Sequence, residues 1–566
     1  MNVRRAAQAA CVLTRTGFLW PLRPLDYLRM AELTVRWGPG LAAGSEIAAL
    51  RAPRRMAVAD DNGWLSWREV DGAANAVARL LARQGVGSGT TVSLMCRNSR
   101  YFVVATLAVS KLGADLVLLN TDFGPSQLGE VLKREGVDAV VFDGEFAPAI
   151  ASAEFGGLSV DTTQMLVAAA TEGCQSPRPP KRPGRIVVMT SGTTGLPKGA
   201  QRAKFTPPVD TVVSAFSMLP LRAGEPVVVA PPLFHLLGFG FMGFALGLQG
   251  TLVVRSRFDP EAVLASISAH RATTLVVVPV MLRRILALPE QTRVRYDISS
   301  LRVIVCSGSS LSADLASATM DLFGDILYNF YGSTETGWAT VAKPADLRAA
   351  PGTVGRPPLG THVKILDDQG LPLRSGQRGR IFVRSGMTFD GYTGGGGKQV
   401  VAGLMSTGDM GHLDDAGRLF VEGRDDEMIV SGGENVFPGE VEDVLRAHAS
   451  VLDAAVVGIE DEEMGQLLAA FVVLSAESAP SAEELKEYVR SRLARFKIPR
   501  HIEFVDRIPR NAMGKLLRSA LPGGRSSRQD EVQGTLGKDA EAGGGLRSEP
   551  VVDLALEVVD APKPGQ

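Results

Sequence analysis

The chain has 566 residues, 45% apolar and 21% charged, which is the balance of a soluble globular protein of roughly two to four domains and excludes a disordered, collagenous or fibrous chain. Sixty Lys and Arg oppose 61 Asp and Glu, so a net charge of −1 lacks the basic excess of a nucleic-acid binder. Four cysteines without a CxxC pair argue against a disulfide framework or a thiolate zinc site and for a reducing, cytoplasmic setting.

In chain order, Arg4 and Arg5 precede an apolar stretch that Gln8 and Arg15 interrupt, which does not read as a signal peptide. Leu25–Trp37 has the spacing of an amphipathic helix, suited to packing on a large domain or to peripheral membrane contact. From Thr90 onward β-rich runs (TTVSLM, ADLVLLN, VDAVVF) alternate with helical patterns, as in βαβ units with a parallel sheet. After the linker Gln175–Gly184, a second α/β half is expected to begin near Arg185 with the strand RIVVM. Pro226–Val254 holds no Asp, Glu, Lys or Arg and is long enough to span a bilayer, but Pro231-Pro232, several glycines and His235 divide it into strand, turn, helix and strand. Beyond Pro351 short strands with Gly and Pro turns suggest a small β-rich subdomain, and Asp426–Leu521 regains α/β alternation of its own. The fold class is therefore α/β: a large N-terminal domain (1–423) of two α/β subdomains plus the β-rich one, a hinge (424–426), a small mobile C-terminal domain (427–521) and a disordered polar tail (522–566).

The most informative stretch is TSGTTGLPKG, Thr190–Gly199, directly after RIVVM. Thr190, Ser191, Gly192, Thr193, Thr194 and Gly195 offer hydroxyls and backbone N–H groups on the end of a buried strand, and Lys198 adds a cation, a combination suited to a polyphosphate. It is not a Walker A loop, because Lys198 is followed by Gly199 and the glycine spacing differs.

This loop closely resembles that of the adenylate-forming acyl-CoA synthetases. Further landmarks occur in that family's order: YGSTETG (331–337), STGDMG (406–411), GRDDEMIVSGGENVFPGEVE (423–442) and PRNAMGKLLR (509–518). The resemblance implies ATP, Mg²⁺ and coenzyme A as cofactors and a small carboxylic acid as substrate. It implies Thr334 on phosphate, Glu335 on Mg²⁺, Tyr331 against adenine, Gly308 where the backbone approaches adenine, and Asp409 and Arg424 on the ribose. Lys515 would stabilise charge as carboxylate meets α-phosphate. Asp426 would be the hinge, Gly432 and Gly433 would line the pantetheine channel, and His235 would gate the site.

Gly332, in place of the tryptophan of acetate-activating relatives, implies an open acyl pocket, with Leu236 and Val278 among its apolar walls. No aspartate stands where amino-acid-activating relatives pair the α-amino group. The expected activity is therefore an ATP-dependent acyl-CoA synthetase for a medium- to long-chain fatty acid. An aryl or cinnamate-type CoA ligase, an acyl-AMP ligase loading a carrier protein, and a membrane fatty-acid uptake protein without turnover stand as alternatives. Oligomeric state is open, a homodimer included.

Overall fold

The computed structural model describes residues 11–12, 14–17, 24–190, 197–202, 209–431, 434–461, 464–475, 480–511 and 514–522. The expected tail beyond 522 lies outside them, as do Ser191–Gly195, Gly432 and Gly433. Within the described residues the α/β architecture comprises four sheets.

A seven-stranded sheet runs Gly391–Tyr392, Gly199–Arg202, Ile186–Met189, Asp115–Leu118, Thr91–Met95, Ala139–Phe142, Leu158–Asp161. Its central strands are parallel and buried along their length, as expected where helices cover both faces. Helix Trp67–Arg83 opens on a capping box in which the Ser66 side chain accepts from Glu69 N–H, and the Ser66 N–H donates to Glu69 Oε2 at 2.7 Å. Helix Arg100–Leu112 ends at Gly113 (φ +66°), where a Cβ would also stand 2.5 Å from Pro180, so both backbone and space require glycine. The strand RIVVM does not begin a second half: Leu116, Val117 and Leu118 pair with Ile186, Val187 and Val188, which completes the first sheet. The Arg185 side chain reinforces this join by pairing with Asp115 of the neighbouring strand.

An eight-stranded sheet runs Gly337–Ala342, Leu327–Ser333, Val303–Cys306, Thr274–Val277, Val227–Val229, Leu252–Val253, Met56–Asp60, Gly63–Ser66. Its last two strands come from a segment before Thr90, so the chain enters this sheet first and crosses to the other one. The uncharged run resolves as anticipated into strand Val227–Val229, helix Leu236–Gly247 and strand Leu252–Val253. Among the described residues no helix is long and apolar enough to cross a membrane.

After residue 351 comes the β-rich part, a five-stranded antiparallel sheet built on Leu404–Leu413. A second five-stranded sheet comes next, in which Val451–Asp461 and Gly465–Leu474 form a long hairpin covered by helices Pro438–Arg446 and Ala482–Arg490. Its strand His501–Phe504 was not anticipated; it pairs parallel to Gly465–Leu474. The N-terminal helix spans Pro24–Trp37, with Leu33 and Trp37 against Ala42 and Ala43, while Leu25, Leu28 and Val35 are exposed.

Candidate active site

The two edges of the phosphate loop are drawn together although its tip lies outside the described residues. Thr190 N–H and Oγ1 both donate to Lys198 O, at 2.8 and 2.9 Å, which continues the antiparallel pairing of Ile186–Met189 with Gly199–Arg202. Lys198 is exposed, and its Nζ lies 5.4 Å from the centre of the Tyr392 ring. The Tyr392 hydroxyl donates to Glu335 Oε1 at 2.7 Å. One aromatic side chain thus ties the loop lysine to the carboxylate expected to hold Mg²⁺.

Thr334 and Glu335 occupy the tight turn between strands Leu327–Ser333 and Gly337–Ala342, where Ser333 Oγ accepts from the N–H groups of Glu335 and Thr336 at 3.2 Å. Arg202 fixes this turn from the other sheet. It donates to the Thr334 carbonyl and to the Met387 carbonyl, and burial pulls its pKa down to about 10 against the attraction of Asp390 and Glu335. Glu335 is 9% exposed, and no described hydrogen bond engages its Oε2. A lone carboxylate with a free oxygen suits Mg²⁺, which commonly takes one or two protein carboxylates and completes its shell with water and substrate phosphates. Among the described residues there is no group of three or more His, Cys, Asp or Glu that could hold a metal ion.

Asp409 faces Arg424 across the pair Leu404–Leu413 and Leu419–Arg424, with Arg424 Nε 3.8 Å from Asp409 Oδ1. Burial raises the Asp409 pKa above the ordinary aspartate value, while Arg424 and Tyr331 oppose the rise. Tyr331 donates its hydroxyl to Asp409 Oδ2 at 2.5 Å, and burial together with the Asp409 charge keeps that phenol protonated. The residue expected against adenine therefore also orients the carboxylate expected on the ribose. Arg424 makes two hydrogen bonds to Asp426, at 2.9 and 3.1 Å, and against the cost of burial this contact holds Asp426 below the usual carboxylate range. Gly308 sits at φ +95° just past strand Val303–Cys306, and Ser307 Oγ donates to Phe330 O at 2.8 Å.

Lys515 lies in a turn beyond strand His501–Phe504 of the C-terminal sheet. Its turn closes through Gly514 N–H to Asn511 O (2.7 Å) and Lys515 N–H to Asn511 Oδ1 (2.9 Å), and Arg510 clamps it by pairing with Asp453 and donating to Gly514 O. Gly514 (φ +71°) abuts helix Pro279–Leu286 so closely that a Cβ would stand 2.2 Å from Val280 Cγ1. Lys515 is near enough for its charge to act on Asp409. Arg424, opposite Asp409, also acts on the Tyr392 that links Lys198 to Glu335, so Lys198, Glu335, Asp409 and Lys515, distant in sequence, are drawn into one neighbourhood. By contrast Glu442 of the GEVE landmark is buried between Arg446 and Arg518 and serves the C-terminal core.

His235 immediately precedes helix Leu236–Gly247 without a side-chain capping hydrogen bond; burial lowers its pKa to about 4, and its shielded Nε2 has no partner among the described residues. It is a neutral imidazole at physiological pH. A Cβ on Gly332 would stand 2.0 Å from Gly337 O, so the hairpin itself demands glycine and the missing side chain does not signal an open pocket. Val278 is fully buried beneath the Lys515 turn, 3.9 Å from where a Gly514 Cβ would lie. Open space lies instead along one face of helix Leu236–Gly247. Leu236, Gly240, Gly243 and Gly247 share that face by their i, i+4, i+7 and i+11 spacing, and nothing comes within 4 Å of a Cβ at any of the three glycines. Phe244 flanks it, stacked on Trp338 at 5.4 Å with ring planes 21° apart.

The sequence pattern described as AMP-binding enzyme matches residues 45–393, and that of the AMP-binding enzyme C-terminal domain matches residues 440–515. A feruloyl-CoA synthase of an Amycolatopsis species is 31% identical over 492 residues, which is 85% of this chain and 98% of that one. A fatty acid–[acyl-carrier-protein] ligase of Streptomyces coeruleorubidus is 29% identical over 494 residues, covering 84% and 94%. Among solved structures, the o-succinylbenzoate CoA synthetase of Bacillus subtilis in complex with its acyl-adenylate intermediate superposes with a TM-score of 0.75 at 29% identity, covering 85% of this chain and 98% of that one.

Proposed function

The chain belongs to the AMP-binding enzyme family and is an ATP-dependent acid–CoA ligase acting through an acyl-adenylate; on that premise we propose that the acid it activates carries an aromatic ring. The observation that carries the proposal is the open glycine face of helix Leu236–Gly247 beside the stacked Phe244 and Trp338. A flat ring can lie directly on helix backbone where side chains are absent, and an offset or edge contact with an aromatic neighbour adds about 0.5–1.5 kcal/mol beyond area burial. The likeness to ligases of feruloyl and o-succinylbenzoyl groups supports the same choice. This reading replaces the medium- to long-chain fatty acid expected from the apolar composition of the pocket.

In the first half-reaction the substrate carboxylate oxygen attacks the α-phosphorus of ATP, forming the acyl-adenylate and releasing pyrophosphate. Lys198 and the Thr334 turn would hold the phosphates, and Asp409 with Arg424 the ribose. Mg²⁺, held by Glu335, would neutralise phosphate charge. Lys515 would bring an ammonium to the two anions as they meet, where charge stabilisation is greatest in the transition state. Neutral His235 would close the site without adding a charge that competes for the carboxylate. In the second half-reaction the thiol of coenzyme A attacks the acyl carbonyl and AMP leaves. Asp426 as hinge, with domains 1–423 and 427–521, and Gly432 and Gly433 as the thiol channel belong to this proposal.

The test is pyrophosphate release with and without coenzyme A for arylpropenoic and arylacetic acids against unbranched acids of equal carbon number. We expect kcat/KM to favour the aryl acids by about tenfold or more, equivalent to about 1.4 kcal/mol. A preference for dodecanoate would overturn the aromatic assignment.

A further inference from the structure

The glycine run Gly394–Gly397 ends in Lys398, a residue that none of the family landmarks contains. The segment just after this lysine is pinned. Ser406 N–H donates to Gln399 O at 2.8 Å, Arg380 Nη2 donates to Gln399 Oε1 at 2.9 Å, and Val400 and Val401 pair with Met405 and Leu404. The strand carrying Asp409 therefore fixes the position from which Lys398 projects.

That position is over Gly408 and Asp409 of this strand. The Lys398 Nζ lies 3.3 Å from the point that a Cβ on Gly408 would occupy, and the Arg424 guanidinium reaches the same point, with Cζ and Nη2 each at 3.5 Å. Two cations thus converge on one spot, beside the carboxylates of Asp409 and Asp426. Arg424 is matched by Asp426. Lys398 is different: its ammonium forms no ion pair or hydrogen bond among the described residues, although its charge acts on both Asp409 and Asp426. An ammonium is a donor-only point charge that binds phosphate well. Gly408 (φ +83°) leaves clear the spot where the two cations meet.

We propose that Lys398 is a nucleotide-binding residue whose ammonium contacts the phosphate attached to the ribose, in ATP and in the acyl-adenylate. The proposal rests on the adenylate reading of the site and adds to it a cation delivered by the glycine run.

The test uses the full chain as wild type, K398M and K398R, with AMP and adenosine as probes. Both carry the base and ribose, but only AMP carries the phosphate. We expect K398M to weaken AMP binding about tenfold or more while adenosine binding stays within about twofold, as loss of a charge-assisted contact to phosphate requires. K398R should regain most of the AMP affinity, and kcat/KM for ATP should fall and recover in parallel. Equal loss of AMP and adenosine would make Lys398 a prop for the strand carrying Asp409 and overturn the proposal, as would unchanged AMP binding in K398M. A wild-type protein that binds neither probe would remove the adenylate reading and the proposal together, whereas wild-type binding that K398M leaves intact removes only the latter.

Discussion

Gly514→Ala probes whether the Lys515 turn must seat on helix Pro279–Leu286 for adenylation. The geometry imposes two costs. Alanine at φ +71° bears the left-handed penalty of about 1–2 kcal/mol. Its Cβ would stand 2.2 Å from Val280 Cγ1, so the turn or the valine must retreat by more than an ångström to restore an ordinary contact, an overpacking cost of about 1–3 kcal/mol. Together they oppose the seated arrangement by about 2–5 kcal/mol, which slows any step that needs it by about thirtyfold or more. Val280→Ala in the same chain removes the offending Cγ1 but not the backbone strain, so it should restore part of the rate and leave a deficit of about five- to thirtyfold. The assay is pyrophosphate release, with thioester formation from supplied acyl-adenylate and coenzyme A as the control half-reaction. Release should fall while the control stays within about threefold. Equal loss in both half-reactions, or no recovery on adding Val280→Ala, would refute the reasoning.

Lys515→Ala should lower pyrophosphate release by about two orders of magnitude and spare transfer from acyl-adenylate, since only the first step joins two anions; a wild-type rate of release would end the assignment. Because burial raises the Asp409 pKa, acidification protonates it sooner than an ordinary aspartate and KM for ATP should climb as pH falls. Tyr331→Phe removes a donor that favours the carboxylate, so the climb should begin at higher pH, and superimposable KM profiles between pH 5 and 8 would count against this coupling. Gly332→Ala should destabilise the protein by about 1–3 kcal/mol, read as an earlier urea midpoint, without altering acid preference, because its Cβ meets Gly337 O and not the substrate. A stable variant with a shifted preference would reinstate position 332 in the pocket.

What could be read from the chain beforehand was local. The loop Thr190–Gly199, the STGDMG run around Asp409 and the Gly514-Lys515 pair announce themselves through short runs of unusual composition, and the glycines and Pro231-Pro232 of the uncharged run excluded a membrane helix in favour of the observed strand, helix and strand. Arg202, Tyr392 and Lys398 carried no such signal. An arginine on a strand, a tyrosine after glycine and a lysine after four glycines acquire their meaning only when pairing of Gly391–Tyr392 with Gly199–Arg202, and of Val400–Val401 with Leu404–Leu413, brings distant segments together. The same limit misassigned RIVVM: a parallel strand buried on both faces shows no alternation to tell which neighbour it will take. Gly332 was misread for a related reason, since a missing side chain is equally consistent with space for a ligand and with backbone that leaves none.

The four groups that would surround a nucleotide come from four separate stretches of chain, each next to a different sheet. Lys198 leads into the seven-stranded one, Glu335 turns between two strands of the eight-stranded one, Asp409 lies on the β-rich one, and Lys515 comes from the last. The two largest sheets already share one core, and a ligand there would add its binding free energy to the cohesion among the parts it touches. Fragments of this chain, however well each folded, would hold AMP poorly alone and would be drawn into reassembly by it. Nucleotide affinity is then a gauge of quaternary-like integrity within a single polypeptide, and a substitution at any seam, however far from phosphate, should register first as a weaker grip on AMP.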